Sequence, residues 1–356
     1  MNSRERLLGA IAREPIDRIP MMESYWGSGL AKWRKEGLPD HVTDETANDY
    51  FNQDKINISY VDWSFQYEPC VVEETDEYVV SRSADNVLSK SLKNSPSMLD
   101  LSHYSVTDRK SWEEQKPRFE FNERRIDMDD CKKRFEQTRD DLVQAYMEPC
   151  LGFEKFKYCM GTENLLYTIA EDKGLILEMV EATERLALDG LEHCLGNGLE
   201  FDIGYITEDM GFSNGPFFSP AFYREVIMPS HIRYNDFLHA RGMKSMLHSC
   251  GDVRRLLGMF VEAGFDILNP LEQKAGMDLF AVKRDYGDAL TLWGGIDVLT
   301  ISSGDEKRLH DEIRDKVTFA KKGYGYVFGS DHSIPDNIPL RTYEMMLEWG
   351  VKYGKY

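Results

Sequence analysis

The sequence predicts an α/β protein that folds as one (β/α)8 barrel over residues 1–356. From about residue 200 onward, short apolar runs alternate with helical patterns, which is typical of repeated βα units and a parallel sheet. Polar and ionisable residues follow the apolar core of each run. No Gly-rich dinucleotide fingerprint follows a predicted strand, and no Walker sequence is present. These observations favour a closed barrel over an open nucleotide-binding sheet.

The first part of the chain predicts barrel elements and an N-terminal excursion from the barrel. Residues 3–13 carry apolar positions at helical spacing. The apolar runs at 19–22 and 56–65 predict the first strands. Residues 71–92 are rich in Val, Tyr, Thr and Ser, which predicts a β-hairpin. Residues 95–140 are highly charged and weakly patterned, and we expect helices there.

The second part predicts helices and strands in alternation. The segment 175–198 places five apolar residues on one helical face and ends at glycines. Ser219 and Pro220 are suited to the cap and the first position of a helix. A last helix is expected near 340–353. The predicted strands have the sequences FDIGYI, MKSML, FDILNPLE, LTLWGGI and YVFGSDHSIP.

The composition disfavours several classes of protein. Hydrophobic residues make up 42% of the chain and charged residues 29%, which supports a sizeable core and excludes a disordered chain. A formal net charge of -19 disfavours nucleic acid and anionic membranes as partners. The six cysteines form no CxxC pair, the N-terminal segment is charged, and no apolar run approaches about 18 residues. We therefore expect a cytoplasmic protein, with a homo-oligomer left open.

Ionisable residues collect where a barrel would have its C-terminal rim. In a barrel the loops that follow the strands share this rim, and active sites form there. For any single residue, loop hydrogen bonding or helix capping is the alternative role. The residues that follow the later strands are Glu208, Asp209, His248, Cys250, Glu272, Asp297, Asp331 and His332, and those that follow the first strands are Glu23, Tyr25, Trp26 and Asp62.

The stretch MKSMLHSCGD ends an apolar run at His248 and places Cys250 two residues later. Imidazole and thiolate are common zinc ligands, and this spacing at a strand end can present both to one point. The alternative is a polar loop that contains a small, packed cysteine. The spacing alone leaves both interpretations open.

Several stretches resemble the uroporphyrinogen decarboxylase-like superfamily, across nearly the whole chain. They are RERLLGAIAREPIDRIP, WRKEGLP, the His-x-Cys-Gly loop and GSDHSIPDNIP. The resemblance implies a (β/α)8 barrel with either uroporphyrinogen decarboxylase activity or zinc-dependent methyl transfer to or from a corrinoid protein. In the methyltransferase branch His-x-Cys binds zinc, which implies His248 and Cys250 as ligands. A further resemblance to the cobalamin-independent methionine synthases implies Glu272 as a ligand.

The chain also departs from both branches. No cysteine follows Cys250, so the final-loop thiolate of the methyltransferase branch is absent, and Ser330, Asp331 and His332 stand in that stretch. A zinc ion with fewer thiolate ligands would be a stronger Lewis acid, which suits a donor held through oxygen or nitrogen. The arginine-bearing stretch of uroporphyrinogen decarboxylases is missing, although Arg34 is present. The acidic rim would also repel a polycarboxylate.

The favoured hypothesis is a zinc-dependent methyltransferase that passes a methyl group from a small methylated donor to a corrinoid carrier protein. An aromatic methyl ether is the first donor to consider, so the reaction would be an O-demethylation. The alternatives are a metal-free, decarboxylase-like lyase and a non-catalytic barrel that binds a corrinoid or another small ligand. The expected catalytic groups are Glu208, Asp209 and His332, the expected substrate-binding groups are Glu23, Tyr25, Trp26, Asp62, Asp297 and Asp331, and the expected aromatic walls are Tyr25, Trp26, Trp63 and Phe65.

Overall fold

A curled parallel sheet with helices outside it forms the centre of the computed structural model. The structure describes residues 1–148 and 151–356, and within them the side chains of all residues except 95–100 and 148. The strands are β1 (Ile56–Tyr60), β2 (Cys70–Glu74), β3 (Tyr78–Arg82), β4 (Leu88–Leu92), β5 (Ser95–Ser102), β6 (Val143–Glu148), β7 (Ile203–Thr207), β8 (Gly211–Phe212), β9 (Gly215–Pro216), β10 (Lys244–His248), β11 (Ile267–Asn269), β12 (Thr291–Trp293) and β13 (Tyr326–Val327).

The helices alternate with the barrel strands, as the sequence predicts. They are α1 (Ser3–Ala12), α2 (Gly27–Lys35), α3 (Asp44–Tyr50), α4 (Arg109–Gln115), α5 (Met128–Thr138), α6 (Phe153–Met160), α7 (Thr162–Glu171), α8 (Lys173–Gly196), α9 (Pro220–Phe222), α10 (Met228–His239), α11 (Leu257–Glu262), α12 (Leu279–Tyr286), α13 (Val298–Ser302), α14 (Glu306–Ala320) and α15 (Leu340–Gly354). Short 3-10 turns span Lys116–Phe119, Glu123–Arg125 and Gln273–Ala275, and a π-helical turn spans Tyr223–Ile227.

The barrel sheet has the order β1-β6-β7-β10-β11-β12-β13, and each neighbouring pair is parallel. An extended N-terminal segment fills the gap between the two edges. Met22 N–H donates to Phe328 O at 3.0 Å, and Phe328 N–H donates to Pro20 O at 2.8 Å. On the other side, Asp54 N–H donates to Met21 O at 2.8 Å, just before β1. The segment therefore takes the eighth position, and the predicted (β/α)8 class is confirmed.

Two cores lie on the two sides of this sheet. Alternate strand side chains point inward because the side chains of a strand alternate between its two faces. The inner core consists of Met22, Val143, Ala145, Ile203, Met246, Ile267, Trp293 and Val327, with Leu7 and Ile11 of α1 added at the N-terminal end. The outer core lies between the sheet and the helices.

The predicted helix at 175–198 is part of α8, which is 24 residues long. Its buried face includes the five predicted apolar positions, and they are Ile176, Val180, Ala187, Leu191 and Cys194. The predicted helix start is also confirmed, since the Ser219 hydroxyl oxygen accepts from Phe222 N–H at 3.1 Å and Pro220 is the first residue of α9. No helix in the described ranges has the length and apolar character needed to cross a membrane.

The excursion is wider than the predicted hairpin. β2, β3, β4 and β5 form a four-stranded antiparallel sheet, so residues 95–102, which were expected to be helical, are a strand. The helices expected further along are α4 and α5. Asp85 joins this sheet to the barrel, because its carboxylate accepts from Phe65 N–H at 3.0 Å and pairs with the buried Lys155 ammonium of α6.

A buried carboxylate holds the N-terminal segment at the closure of the barrel. Asp54 Oδ1 pairs with Arg6 Nη1 at 2.5 Å. Asp54 Oδ2 pairs with Arg18 Nη1 at 2.7 Å and accepts from Met21 N–H at 2.9 Å. Only 1% of the Asp54 surface is exposed, so these partners replace the water that would otherwise solvate the charge.

We predict that Asp54→Ala lowers the free energy of unfolding by about 3 kcal/mol, because Arg6 and Arg18 lose their interior partner. Arg6 keeps Asp17, which is why we expect the lower end of the range for a broken buried pair. Urea unfolding followed by circular dichroism measures the change. Asp315→Ala, which breaks a solvent-exposed contact with Arg314, is the control and should unfold with the wild type. Equal midpoints for Asp54→Ala and Asp315→Ala would contradict the prediction.

Candidate metal centre and barrel mouth

The His-Ser-Cys loop begins at the end of β10, at the C-terminal end of the barrel. His248 is in register with Thr207 of β7 and with Asn269 of β11. Gly251 follows with φ of +82°, a left-handed conformation that favours glycine. A Cβ atom on Gly251 would lie 2.3 Å from the carbonyl carbon of Gly211. Glycine at both positions therefore lets the loops after β7 and β10 touch.

This contact brings Asp209, His248 and Cys250 together. One ligand atom from each lies within 4.8 Å of the others. Cys250 Sγ is 3.4 Å from His248 Nε2, and His248 Nε2 is 3.6 Å from Asp209 Oδ1. Cys250 N–H also donates to Asp209 Oδ1 at 2.8 Å. All three side chains are half-buried, and together they offer one oxygen, one nitrogen and one sulfur to a cation.

Asn269 sets the orientation of the His248 ring. His248 Nδ1 lies 2.7 Å from Asn269 Oδ1. Because the amide oxygen is an acceptor, Nδ1 carries the proton and Nε2 keeps its lone pair. That lone pair is directed toward Cys250 and Asp209, which is the arrangement of a metal-binding histidine held by an outer partner.

The electrostatics of the cluster also suit a cation. Burial raises the pKa of the Cys250 thiol well above its usual range, and the carboxylates of Asp209 and Glu272 add to this rise. Without a cation the thiol is therefore neutral. A metal ion reverses this effect because it favours the thiolate.

Glu272 lies beside the cluster but is not a member of it. Its Oε2 accepts from Gly251 N–H at 2.6 Å, and its Oε1 pairs with Lys274 Nζ at 3.1 Å. The third member is Asp209, for which the sequence suggested a catalytic role. The predicted ligand role of Glu272 stays a prediction.

Glu208 holds a neighbouring loop and lies fully buried. Its Oε1 accepts from Leu151 N–H at 2.7 Å, and its Oε2 accepts from Glu154 N–H at 3.0 Å, at the start of α6. Burial raises the pKa of Glu208 to about 8, and the Glu154 carboxylate adds to the effect. With both oxygens bound to backbone amides, Glu208 is placed to position the loop that carries Asp209.

A second polar group occupies the opposite side of the mouth. Glu23 Oε1 accepts from Ser330 N–H at 2.7 Å, and its Oε2 accepts from the Ser330 hydroxyl at 2.6 Å. His332 lies on the same rim and meets Trp26 edge to face, with ring centroids 5.9 Å apart. Glu23 belongs to the N-terminal segment, which lies between β13 and β1. Three strands separate this segment from β10 in either direction around the barrel: β11, β12 and β13 on one side, and β7, β6 and β1 on the other.

The structure places Tyr25 in the core, where the sequence placed it at the mouth. Its side chain is 7% exposed, and its hydroxyl bonds to Gln53 at 2.5 Å and to Tyr343 at 2.8 Å. Its ring packs against Trp33. Met21 and Tyr25 belong to the outer core between the sheet and the helices, whereas Met22 belongs to the inner core. Tyr25 is therefore not a wall of the mouth.

Phe65, another expected wall, also lies in the core, whereas Trp63 stays a predicted wall. Phe65 is fully buried and packs against Phe119 at 5.6 Å between ring centroids. The Trp63 ring lies 4.5 Å from the Lys155 ammonium, beneath the excursion. Of the expected walls, Trp26 remains at the rim, with 39% of its surface exposed.

The remaining predicted rim acids bind backbone amides. Asp62 accepts from Ser64 N–H at 2.9 Å and closes the turn after β1. Asp297 caps α13 by accepting from Leu299 N–H at 2.9 Å. Asp331 is fully buried and accepts from Val298 and Gln273 N–H groups, each at 2.8 Å. These bonds join the last three loops of the barrel, and substrate binding by these acids stays a prediction.

Comparison with known proteins agrees with this architecture. Residues 153–353, more than half of the chain, match the family model described as uroporphyrinogen decarboxylase (URO-D). The chain belongs to the URO-D family. A search of curated proteins finds no match. Among solved structures, the chain is similar to a methyltransferase from Methanosarcina mazei, with a TM-score of 0.64 and 13% identity over 99% of both chains. At this identity the likeness shows the fold alone.

Three residues of this URO-D family mouth were missed from sequence. Asn269 follows the apolar core of β11 and has the position of a rim residue, so the same pattern could have found it. Lys274 becomes relevant only through its contact with Glu272. Trp293 ends β12 inside the barrel, and its sequence neighbours gave no sign of that direction.

We predict that Asn269→Ala lowers zinc affinity about 10- to 100-fold, because the His248 ring loses the partner that fixes its tautomer and orientation. Competition against a chromogenic chelator measures the affinity. Asn197→Ala is a matched control, since Asn197 also contacts a histidine ring, that of His193, but on the exposed end of α8. Equal zinc affinities for both variants and the wild type would refute the role of Asn269.

Proposed function

We propose that this chain is a zinc-dependent methyltransferase that moves a methyl group from a small methylated donor to a corrinoid carrier protein. The observation that carries the proposal is the Asp209, His248 and Cys250 cluster at the mouth of the barrel. URO-D family membership supports an enzyme of the methyltransferase or decarboxylase-like kind. The fold shared with a methyltransferase from Methanosarcina mazei is compatible with the first of these.

The residues fit a zinc ion. A carboxylate oxygen, an imidazole nitrogen and a thiolate sulfur are all ordinary zinc ligands, and three protein ligands leave a position for a donor molecule, as in catalytic zinc sites. Asp209, His248 and Cys250 would hold the ion, with Glu272 as the neighbour that the resemblance suggests as a fourth ligand. When bound, zinc would supply Lewis acidity that stabilises negative charge on the leaving heteroatom of the donor.

The chain's own residues prepare this site in three ways. Asn269 holds the His248 ring so that Nε2 faces the cluster. Glu208 holds the loop that carries Asp209. His332 turns Nδ1 toward the Ser333 carbonyl oxygen at 3.1 Å, which directs Nε2 away from the backbone. We propose His332 as a group that holds a proton on the Glu23 side of the mouth, across the barrel from the cluster.

An aromatic methyl ether remains the first donor to test. Trp26 offers an exposed flat apolar surface at the mouth, Trp293 lies below the mouth in the inner core, and the half-buried Tyr205 lies beside the cluster. A neutral ether fits a site in which a zinc ion would balance the charges of one thiolate and one carboxylate.

A decarboxylase-like lyase is the second candidate, and the URO-D family match favours it. Uroporphyrinogen itself is a poor substrate for this mouth. Arg34 donates to the Val42 carbonyl oxygen at 2.8 Å, away from the mouth, while Glu23 and Asp209 face it. A metal-free lyase on another small substrate would keep its activity in Cys250→Ser.

We predict about one zinc per chain in protein purified without chelator, and loss of that zinc in Cys250→Ser, because a three-residue site loses its thiolate. Elemental analysis measures both. Cys70→Ser removes an exposed cysteine of β2 and should keep the zinc. A metal-free wild type that added zinc does not restore would instead favour the lyase.

We also predict that zinc-loaded protein with a reduced corrinoid carrier demethylates at least one member of a panel of methoxyarenes and methylamines. His248→Ala should lose this activity to background, because the imidazole ligand is removed. Product formation is followed by chromatography, and methylation of the carrier by its absorbance. If the zinc-loaded wild type demethylates no member of the panel, the donor proposal is wrong.

A further inference from the structure

Glu23 occupies a built position at the mouth. A Cβ atom on Gly329 would lie 2.6 Å from Glu23 Oε1 and 3.7 Å from Trp293 Nε1. Because glycine has no side chain, Gly329 leaves the space that the Glu23 carboxyl group occupies, next to the indole ring of Trp293. Ser330 fixes the group from behind with its N–H and its hydroxyl.

The surroundings leave this carboxyl group without a positive partner. Among the residues that the structure describes, no cationic side chain lies within ion-pair distance of Glu23, and Asp331 is the charged neighbour that raises its pKa. Burial is the larger cause, and together they raise the pKa of Glu23 to about 8, so the free group is mostly protonated at neutral pH, and a bound hydrogen-bond donor or a higher pH favours its carboxylate form. Two other acids near the mouth have cations: Glu272 pairs with Lys274, and Glu154 pairs with Lys157.

Ser330 accounts for one hydrogen bond to each oxygen of Glu23, and a carboxylate oxygen can accept two. The remaining acceptor capacity lies beside Trp293, whose ring forms part of the inner core below the mouth. The flat apolar surface of Trp293 next to the half-buried Glu23 acceptor is suited to a ligand whose ring carries a hydrogen-bond donor.

We propose that Glu23 determines donor specificity by accepting a hydrogen bond from a hydroxyl or ammonium group on the methyl donor, at the end remote from the Asp209–His248–Cys250 cluster. The proposal rests on the proposed function, which places the methyl-bearing end at the cluster. The role proposed for Glu23 restricts the methyl donor to molecules that have a polar group at each end and an apolar ring between them.

Ligand pairs that differ in one donor group test the proposal by calorimetric binding to zinc-loaded protein at about pH 9, where the Glu23 carboxylate predominates. 4-Methoxyphenol and 1,4-dimethoxybenzene differ by a methyl group on a ring hydroxyl, and para-methoxybenzylamine and para-methoxytoluene differ by the ammonium group. We expect the wild type to favour the donor-bearing member of at least one pair about 10- to 100-fold, as for a hydrogen bond to a charged group. The pair for which the wild type shows this preference indicates whether Glu23 binds a hydroxyl or an ammonium group.

Glu23→Gln keeps an oxygen that can accept from Ser330 N–H but loses the charge, so it should abolish the preference with zinc content unchanged. Ser330→Ala removes the supporting hydroxyl and leaves the acid, so it should keep the preference. Glu36→Gln is the matched control, because the Glu36 carboxylate also accepts a backbone bond, from Leu340 N–H at 2.7 Å, outside the mouth.

Three outcomes would overturn the proposal: no preference or no binding in the zinc-loaded wild type, a preference that survives in Glu23→Gln, or its equal loss in Ser330→Ala, which would make Glu23 only a support for the loop. The readout is binding, so it separates this proposal from the methyl-transfer hypothesis. Selective binding without methyl transfer to a corrinoid carrier would refute only the latter.

Discussion

Closure of the barrel by the N-terminal segment is the constraint on which the rest of the molecule depends. The segment has no long strand of its own and bonds to the two sheet edges through a few backbone groups. The buried Asp54 carboxylate supplements these few backbone bonds, because it pairs with Arg6 and Arg18 and accepts a hydrogen bond from Met21 N–H. Closure brings Glu23 to the same rim as the loops that follow the parallel strands. Without it, the sheet would be open and the two sides of the mouth would not face each other.

Within that frame, a contact between two glycines determines which side chains meet. Gly211 and Gly251 let backbone touch backbone, and the loops after β7 and β10 then bring Asp209 to His248 and Cys250. A larger residue at either position would separate the carboxylate from the imidazole and thiol. The candidate metal centre therefore depends on the close contact of these two glycines as much as on its three side chains.

The sequence predicts the repeated units well because their physical signals are local. The apolar face of α8, the Ser219 cap and the order of the barrel strands all depend on residues close in the chain. The placement of His248 and Cys250 on one strand end is local as well.

The rest of the site depends on long-range geometry. Asp209 reaches the cluster through a contact between loops, and Glu272 is held aside by Gly251 and Lys274. Tyr25 lies in the outer core, where its hydroxyl binds Gln53 and Tyr343, two residues that are distant from it in the chain.

The charges at the mouth lead to a constraint on the ligand. Lys274 and Lys157 offset Glu272 and Glu154, and Glu208 and Asp331 are buried with both oxygens bound to backbone amides. Of the acids named here, this leaves Asp209, which a metal ion would neutralise, and Glu23 across the barrel. A ligand that satisfied only one of them would leave the other side of the mouth to water, whereas a donor with two polar ends would use both.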